Sequence, residues 1–485
     1  MGLKLSELVR RDLAVDPLIT GISADSRKIG PGYLFAALPG SVADGRAFAS
    51  KAVAAGAVAV LTGEALADLG VPTIEVSDPR RAYALAASRF WGEQPATVVA
   101  VTGTNGKTSV AAFSRQIYNA CGRRAASMGT LGVLATGPDG FSAQLTPPGL
   151  TTPDAADVAD LMAQLSARQV THLALEASSH GVDQRRLDGV TLAAAGFLNL
   201  TQDHLDYHGT MEAYRAAKLR LFDTLLPRGG TAVLNADSDA FGAFSATAVM
   251  SGQSVLSVGE AGQGLTLASR EPAPEGQLLR VRATGQDFAV RLPLVGAYQA
   301  SNALVAAGLC IATGEDPAAV MRALEHLEGA PGRLQRIGIG PRGGVAYVDY
   351  AHTPDGLQTV LAALRPHVAG RLIVVFGAGG DRDRTKRPLM GTIAARLADV
   401  AIVTDDNPRS EDPAAIRAQV MAGVAGLSEI GDRRGAIQAA VGLLSEGDVL
   451  VVAGKGHEQG QMIAGVMHPF DDVRETSNAL GVGHG

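Results

Sequence analysis

Short apolar runs ending in polar or glycine-rich residues recur along this chain, and stretches of helical spacing separate most of them. Strands alternating with helices predict an α/β protein with mainly parallel sheets covered on both faces. In such sheets ligands collect beyond the carboxyl ends of the strands.

Residues 1–92 form the first expected unit. LSELVRRDL has the spacing of a helix, and ITGISADSRKIGPGYLFAALPG holds two short strand-like runs joined by a Gly-Pro-Gly turn. An alanine-rich helix is expected from Ala47 to Ala55, then a strand from Ala57 to Leu61. No phosphate loop lies here. The polar cluster of Asp25, Ser26 and Arg27 with Ser41 to Asp44 suits a docking surface, although such residues also form turns.

The Gln94-Pro95 step opens a central unit, 93–330. Strand-like runs lie at Val98 to Val101, His172 to Glu176, Ala193 to Asn199 and Thr231 to Asn235. From 251 to 295 short alternating runs such as LLRVRA and FAVRLPL predict a small antiparallel addition. Gly329 to Arg333 has linker composition, and a third unit, 331–485, follows. Its four apolar strands, in VAYVDYAH, RLIVVFGAGG, VAIVTDDNP and DVLVVAGKG, are each expected to lead into a helix, giving a doubly wound, Rossmann-like sheet.

Length agrees with this division, since 485 residues suit about three domains of roughly 150 residues each. A net charge of -6 argues against a general binder of nucleic acid or anionic membranes. Cys121 and Cys310 are too far apart in sequence for metal-ligand spacing and form no disulfide framework, so a reducing cytoplasm is the simplest compartment. The first residues lack the apolar core of a signal peptide, and no apolar run reaches the roughly 18 residues of a membrane span. MGLKLS fits the loose myristoylation pattern, but the same residues begin the first expected helix.

The chemistry begins in VVAVTGTNGKT, Val98 to Thr108: a buried strand, a glycine-rich turn, and a helix opening at Ser109. Backbone N–H groups and a helix N-terminus then point at one spot, where a phosphate chain can be held. Lys107 would meet the β- and γ-phosphates and the Thr108 hydroxyl a magnesium ion. The spacing departs from G-x-x-x-x-G-K-[ST], because residue 101 is Val and the first glycine is Gly103. A plain glycine turn beside a surface lysine fits these residues too.

Glu176 ends an apolar run, where an unpaired carboxylate is costly and a cation or an arginine relieves the cost. His204 and Asp206 precede a helix carrying Lys218. With the loop, Glu176 suggests a magnesium–nucleotide site; His204 by itself is more often a hydrogen-bonded turn residue than a ligand. In the last unit, polar clusters follow four strands: Asp349 to His352, Gly377 to Arg387, Asp405 to Arg409, and Gly454 to Glu458. Acids and arginines so placed can hold a zwitterion, carboxylate on Arg and ammonium on Asp or Glu.

TGTNGKTS, LEASSHGVDQRR, NLTQDHLDYHGTMEAYRAAK, PGRLQ, VDYAHTPDG, GGDRDRTKRPLM, DDNPR and AGKGHE together resemble the motifs of the Mur ligases of bacterial peptidoglycan synthesis, in order along the whole chain. The short phosphate loop is the form this family uses. The resemblance implies three domains: the first receives the UDP part of a precursor, the second binds ATP, and the third brings an amino acid. It implies ATP contacts at Gly103, Thr104, Asn105, Gly106, Lys107, Thr108 and Ser109, with Asn302 and Arg333. It implies Mg2+ at Thr108, Glu176, His204 and a carbamylated Lys218, and catalytic roles for Lys107, Lys218, His204 and Glu176. Ser26, Ser41, Val42 and Ala43 match uridine-side positions, while Thr151, Thr152, Ser178, Gln184 and Arg186 match contacts to the rest of the precursor. An amino-acid pocket would use Arg382, Asp406, Asn407, Pro408, Arg409, Gly454 and Glu458. The implied substrates are UDP-N-acetylmuramoyl-L-alanyl-D-glutamate and meso-diaminopimelate, handled by a monomer with no nucleic-acid partner and no stable membrane insertion.

Two rivals stand beside this expectation. A folylpolyglutamate synthase shares the short loop and the ligase chemistry, but needs no UDP-binding domain and has no use for DDNPR. A binding protein that uses ATP only to close its domains leaves the last unit's clusters without a task.

Overall fold

A computed structural model describes residues 2–40, 44–273 and 275–482. The chain forms two compact units, Met1–Thr266 with Leu304–Val320, and Leu267–Ala303 with Met321–Gly485.

The first unit contains a short antiparallel pair, Leu3–Lys4 with Leu18–Ile19, and two larger sheets. Gly21–Ser23, Tyr33–Ala37, Ala57–Thr62 and Thr73–Glu75 form a four-stranded parallel sheet in chain order. Of the helix expected at Ala47 to Ala55, Gly45–Phe48 is a 3-10 turn and Ala49–Ala54 is α-helical, because the Asp44 carboxylate accepts from Arg46 N and starts the turn early. A further helix, Pro79–Trp91, carries the local signal of an Asp78 cap followed by proline at the first position. Its Tyr83, Ala84 and Ala87 pack with Ala155, Ala156 and Ala159 of the helix Ala155–Ala167, and the Tyr83 hydroxyl donates to Asp154 at 2.7 Å.

The second of the larger sheets carries the glycine-rich loop, residues 103–106. Its first eight strands, in order, are Ser142–Thr146, Gly132–Thr136, Ala125–Gly129, His172–Glu176, Thr97–Thr102, Ala194–Phe197, Thr231–Asn235 and Ser254–Gly259. Three of these strands, from Ala125 to Thr146, lie where none was expected, since AASMG and its neighbours lack the β-branched apolar pattern. Val98 and Ala100 share one face with Val158, Leu161 and Leu165, while the helix Lys107–Ala120 covers the other. That helix starts two residues earlier than expected. Gly106 takes a left-handed φ of 91°, which turns the chain directly into the helix and brings Lys107 and Thr108 into its first turn.

In the second unit, Gly276–Ala283 and Gln286–Leu292 make the expected antiparallel hairpin. The strand Ser254–Gly259, grouped with that addition in the sequence reading, instead pairs parallel to Thr231–Asn235 within the first unit. A six-stranded sheet follows in the order Gln335–Ile339, Val345–Asp349, Val449–Ala453, Leu372–Phe376, Val400–Val403, Leu427–Glu429, parallel except for its first edge. Alternate residues face opposite layers. Val374, Phe376, Val403 and Val451 pack against Leu357, Leu361, Met390 and Val420, whereas Ile373, Val375, Ile402 and Val452 meet Ile437, Ala440 and Leu480. This is the doubly wound arrangement expected. One difference is that Val449–Ala453 leads into a hairpin, Gly460–Ile463 with Val466–Pro469, before the helix Asp472–Leu480.

Beneath the carboxyl end of this sheet, Arg433 and Asp472 are fully buried and bonded in bidentate fashion, Nε to Oδ1 and Nη2 to Oδ2 at 2.7 Å each. Removing one partner of such a pair leaves an uncompensated charge, at a cost of about 3–5 kcal/mol. Asp472→Ala should therefore lower stability by about that much in urea unfolding at neutral pH. A loss below about 1 kcal/mol, the range of exposed pairs, would show that the pair does not hold this layer.

Candidate active site

Strand order decides what surrounds Glu176. His172–Glu176 lies between Thr97–Thr102 and Ala125–Gly129, so the loops following both neighbours flank its carboxylate. Glu176 is 2 % exposed; its Oε2 accepts from the Thr108 hydroxyl at 3.0 Å and its Oε1 from Thr130 N at 2.9 Å. Lys107 Nζ donates to the Gly103 and Thr104 carbonyls at 2.9 and 2.8 Å. The loop is held from outside by Asn199, whose Oδ1 accepts from Thr104 N and Asn105 N at 3.1 and 2.9 Å. Ser109 is buried in the first turn of the helix.

Lys218 reaches the same loop from the helix Met211–Arg220. It is 1 % exposed, donates to Gly103 O at 2.7 Å, and sits 4.5 Å from the Tyr214 ring centroid. Burial pushes its pKa well below that of an ordinary lysine, and the Lys107 charge adds to this; Asp203 opposes. His204 is exposed with a left-handed φ of 53°, and its ring lies 4.8 Å from His180 and 6.1 Å from Tyr214. The structure thus joins Thr108 to Glu176 and Lys107 to Lys218 through the Gly103 carbonyl, with His204 beside Tyr214.

Of the positions expected to contact the precursor, Thr152, Ser178, Gln184 and Arg186 form a connected group. Thr152 Oγ1 donates to Glu176 O at 2.8 Å and lies 3.0 Å from Ser178 Oγ; Arg186 donates to Thr152 O at 2.5 Å and to Gln184 Oε1 at 2.8 Å. Thr151 Oγ1 lies 3.0 Å from Thr130 Oγ1. Ser26 opens a 3-10 turn in which Arg27 pairs with Asp25 at 2.8 Å, holding the Asp25 carboxyl down at about 2. Ser41, Val42 and Ala43 lie outside the described residues.

The remaining positions belong to the second unit. Asn302 Nδ2 donates to Gln299, whose own amide donates to Arg333 O at 3.2 Å. The Arg333 guanidinium stands 4.5 Å from the Tyr350 ring centroid. Asp406, Asn407, Pro408 and Gly454 are buried, Arg409 and Glu458 half-buried, and Arg382 exposed. Gly454 has φ 128°, and a Cβ there would stand 2.6 Å from Asp406 Oδ2, so the carboxylate can sit there only over a glycine. Asn407 Nδ2 donates to Glu458 Oε2 at 3.0 Å. Arg409 takes φ 53°; its backbone N donates to Met462 O and its carbonyl accepts from Ala464 N, at 2.9 and 2.7 Å, while its guanidinium donates to Gly380 O at 2.6 Å.

Sequence reasoning missed Thr130, Asn199, Tyr214 and the hairpin residues Met462 and Ala464. Only NLTQ, which carries Asn199 at a strand end, offered a local signal.

Three comparisons bear on this arrangement. Sequence profiles described as Mur ligase family catalytic domain, Mur ligase middle domain, and Mur ligase, glutamate ligase domain match residues 18–91, 101–310 and 332–456. The chain is 70% identical over 481 residues to a UDP-N-acetylmuramoyl-L-alanyl-D-glutamate–2,6-diaminopimelate ligase of Caulobacter vibrioides, covering 99% of both chains. It is 54% identical over 462 residues to the ligase of that name from Agrobacterium fabrum, covering 95% of this chain and 93% of the other. A solved structure bearing the same enzyme name superposes with a TM-score of 0.75 at 36% identity, covering 99% of each chain.

Proposed function

The chain belongs to the Mur ligase family, and from that premise we propose that it joins meso-diaminopimelate to UDP-N-acetylmuramoyl-L-alanyl-D-glutamate at the expense of ATP. The observation that carries the reading is the similarity to diaminopimelate ligases over nearly the whole chain, together with a buried glycine-rich loop hydrogen-bonded to a strand-end carboxylate. Three domains, 1–92, 93–330 and 331–485, would take the precursor, the nucleotide and the amino acid in turn. The enzyme would act as a cytoplasmic monomer.

In the first step the side-chain carboxylate of the D-glutamate attacks the γ-phosphorus of ATP, and ADP leaves. The diaminopimelate amine then attacks the acyl carbon, loses a proton, and displaces inorganic phosphate, leaving an amide. Phosphoryl transfer asks the protein mainly for position and charge. The backbone N–H groups at the helix start, Gly106 to Ser109, cradle the phosphates, Thr104 and Asn105 shape the loop through their bonds to Asn199, and Lys107 exchanges its two loop carbonyls for phosphate oxygens. Asn302 and Arg333 hold the nucleotide. Ser26, Ser41, Val42, Ala43, Thr151, Thr152, Ser178, Gln184 and Arg186 hold the precursor.

Mg2+ takes hard oxygen ligands, and the hydroxyl of Thr108 beside the buried carboxylate of Glu176 is a donor set of that kind. With His204 and Lys218 as its carbamate, these residues would hold the ion, whose charge neutralises the phosphates when bound. An unmodified Lys218 ammonium could not serve as a ligand. A lysine whose ammonium form is disfavoured by burial has the free amine that carbamylation needs.

Phosphate release tests the whole reading. With ATP and magnesium present, release should require both the UDP-muramoyl dipeptide and diaminopimelate. Release indifferent to either substrate would exclude this ligase.

A further inference from the structure

We infer that Lys455 is a positioning residue of the amino-acid pocket, its buried ammonium setting the orientation of the Asn407 amide and the Glu458 carboxylate. This rests on the reading of Asp406 to Arg409 and Glu458 as the diaminopimelate site.

Lys455 follows Gly454 at the end of the strand Val449–Ala453, and its side chain is 0% exposed. Its Nζ lies 3.0 Å from Asn407 Oδ1, 3.5 Å from Glu458 Oε2 and 4.0 Å from Asp406 Oδ1. All three partners are pocket positions. An ammonium has only donors, so the Asn407 atom facing it must be the oxygen. Met462 N donates to that same oxygen at 2.9 Å. Two donors on one side fix the amide plane, and its nitrogen is left to donate to Glu458 Oε2 at 3.0 Å. The result is a closed ring in which Lys455 faces both the amide and the carboxylate that the amide holds.

The cation is not needed by the deeper ion pair, because Arg433 already satisfies both oxygens of Asp472 and also donates to Ala453 O at 3.0 Å. Its electrostatic work falls instead on Asp406 and Glu458. Burial draws the Lys455 pKa down and Arg433 adds to that, while Asp406, Glu458 and Asp472 oppose. A charge buried this deeply is strongly coupled to the acids that compensate it. Without it, the acids repel one another and the Asn407 amide loses one of the two donors that select its orientation.

The test uses Lys455→Met and Lys455→Gln in the full chain, with circular dichroism to establish folding and steady-state kinetics varied in each substrate. In Lys455→Met the KM for diaminopimelate should rise about tenfold or more, while the KM values for ATP and the UDP precursor stay within about twofold. Lys455→Gln supplies a donor to Asn407 without the charge, so its rise should be smaller. It carries the same test should the Met variant not fold. A structural residue alone would lower the amount of active enzyme and leave every KM in place. An unchanged KM for diaminopimelate, or equal rises for all three substrates, would overturn the role of Lys455. Should the unsubstituted protein fail to ligate diaminopimelate at all, the pocket assignment itself falls.

Discussion

Lys218→Ala should reduce ligation by at least about a thousandfold, with partial recovery when acetate or formate is added. The physical basis is the contrast between charge and place. Lys218 is nearly inaccessible, donates to the phosphate-loop carbonyl of Gly103, and shares that carbonyl with Lys107. Two ammonium groups bonded to one carbonyl repel each other, and burial penalises the inner one further. Kept as a cation, Lys218 would oppose magnesium close to the Thr108–Glu176 pair. Converted to a carbamate, it would present an anion on a long stem, and a small carboxylate entering the cavity left by alanine can replace that anion. Full activity in Lys218→Ala would sink the carbamate, and so would a loss that no carboxylate relieves in a variant that still folds and binds ATP.

Arg409→Lys should raise the KM for diaminopimelate by about 30- to 100-fold, equivalent to about 2–3 kcal/mol, with the KM for ATP within about twofold. Diaminopimelate differs from lysine by a second carboxylate, and a guanidinium meets a carboxylate with two parallel donors where an ammonium offers a point charge. The backbone of Arg409 is clamped between Met462 O and Ala464 N in a left-handed conformation, so the turn should keep its shape in the variant. The substitution then tests the head group alone. Competition with lysine gives the second reading, because the loss of the bidentate partner should narrow the preference for diaminopimelate. Equal changes in the KM for ATP and for diaminopimelate would remove Arg409 from the amino-acid pocket.

Much of the site was legible because strand ends announce themselves. An apolar run that stops at a polar cluster marks both a strand and the edge where ligands gather, and this singles out Glu176, Asp406 and Glu458 as candidates without knowledge of sheet order. The glycine-rich loop was legible from a local backbone demand, the left-handed Gly106. Less legible were the strands Ala125–Gly129 and Leu427–Glu429, whose small or polar residues give no clear alternation. The hairpin after Val449–Ala453 was also missed.

By itself, then, the sequence determined the alternation of strands and helices, the phosphate loop, and the residue types gathered at each strand end, because all of these depend on neighbours within a few positions. Tertiary structure decided which of those ends meet. Inserting His172–Glu176 between Thr97–Thr102 and Ala125–Gly129 is what places Thr108 and Thr130 on the two oxygens of Glu176. The same kind of crossover brings Lys455 to Asn407, 48 residues away in the chain. No local pattern encodes such pairings, since they follow from the order in which strands pack, and that order is set by the burial of whole apolar faces.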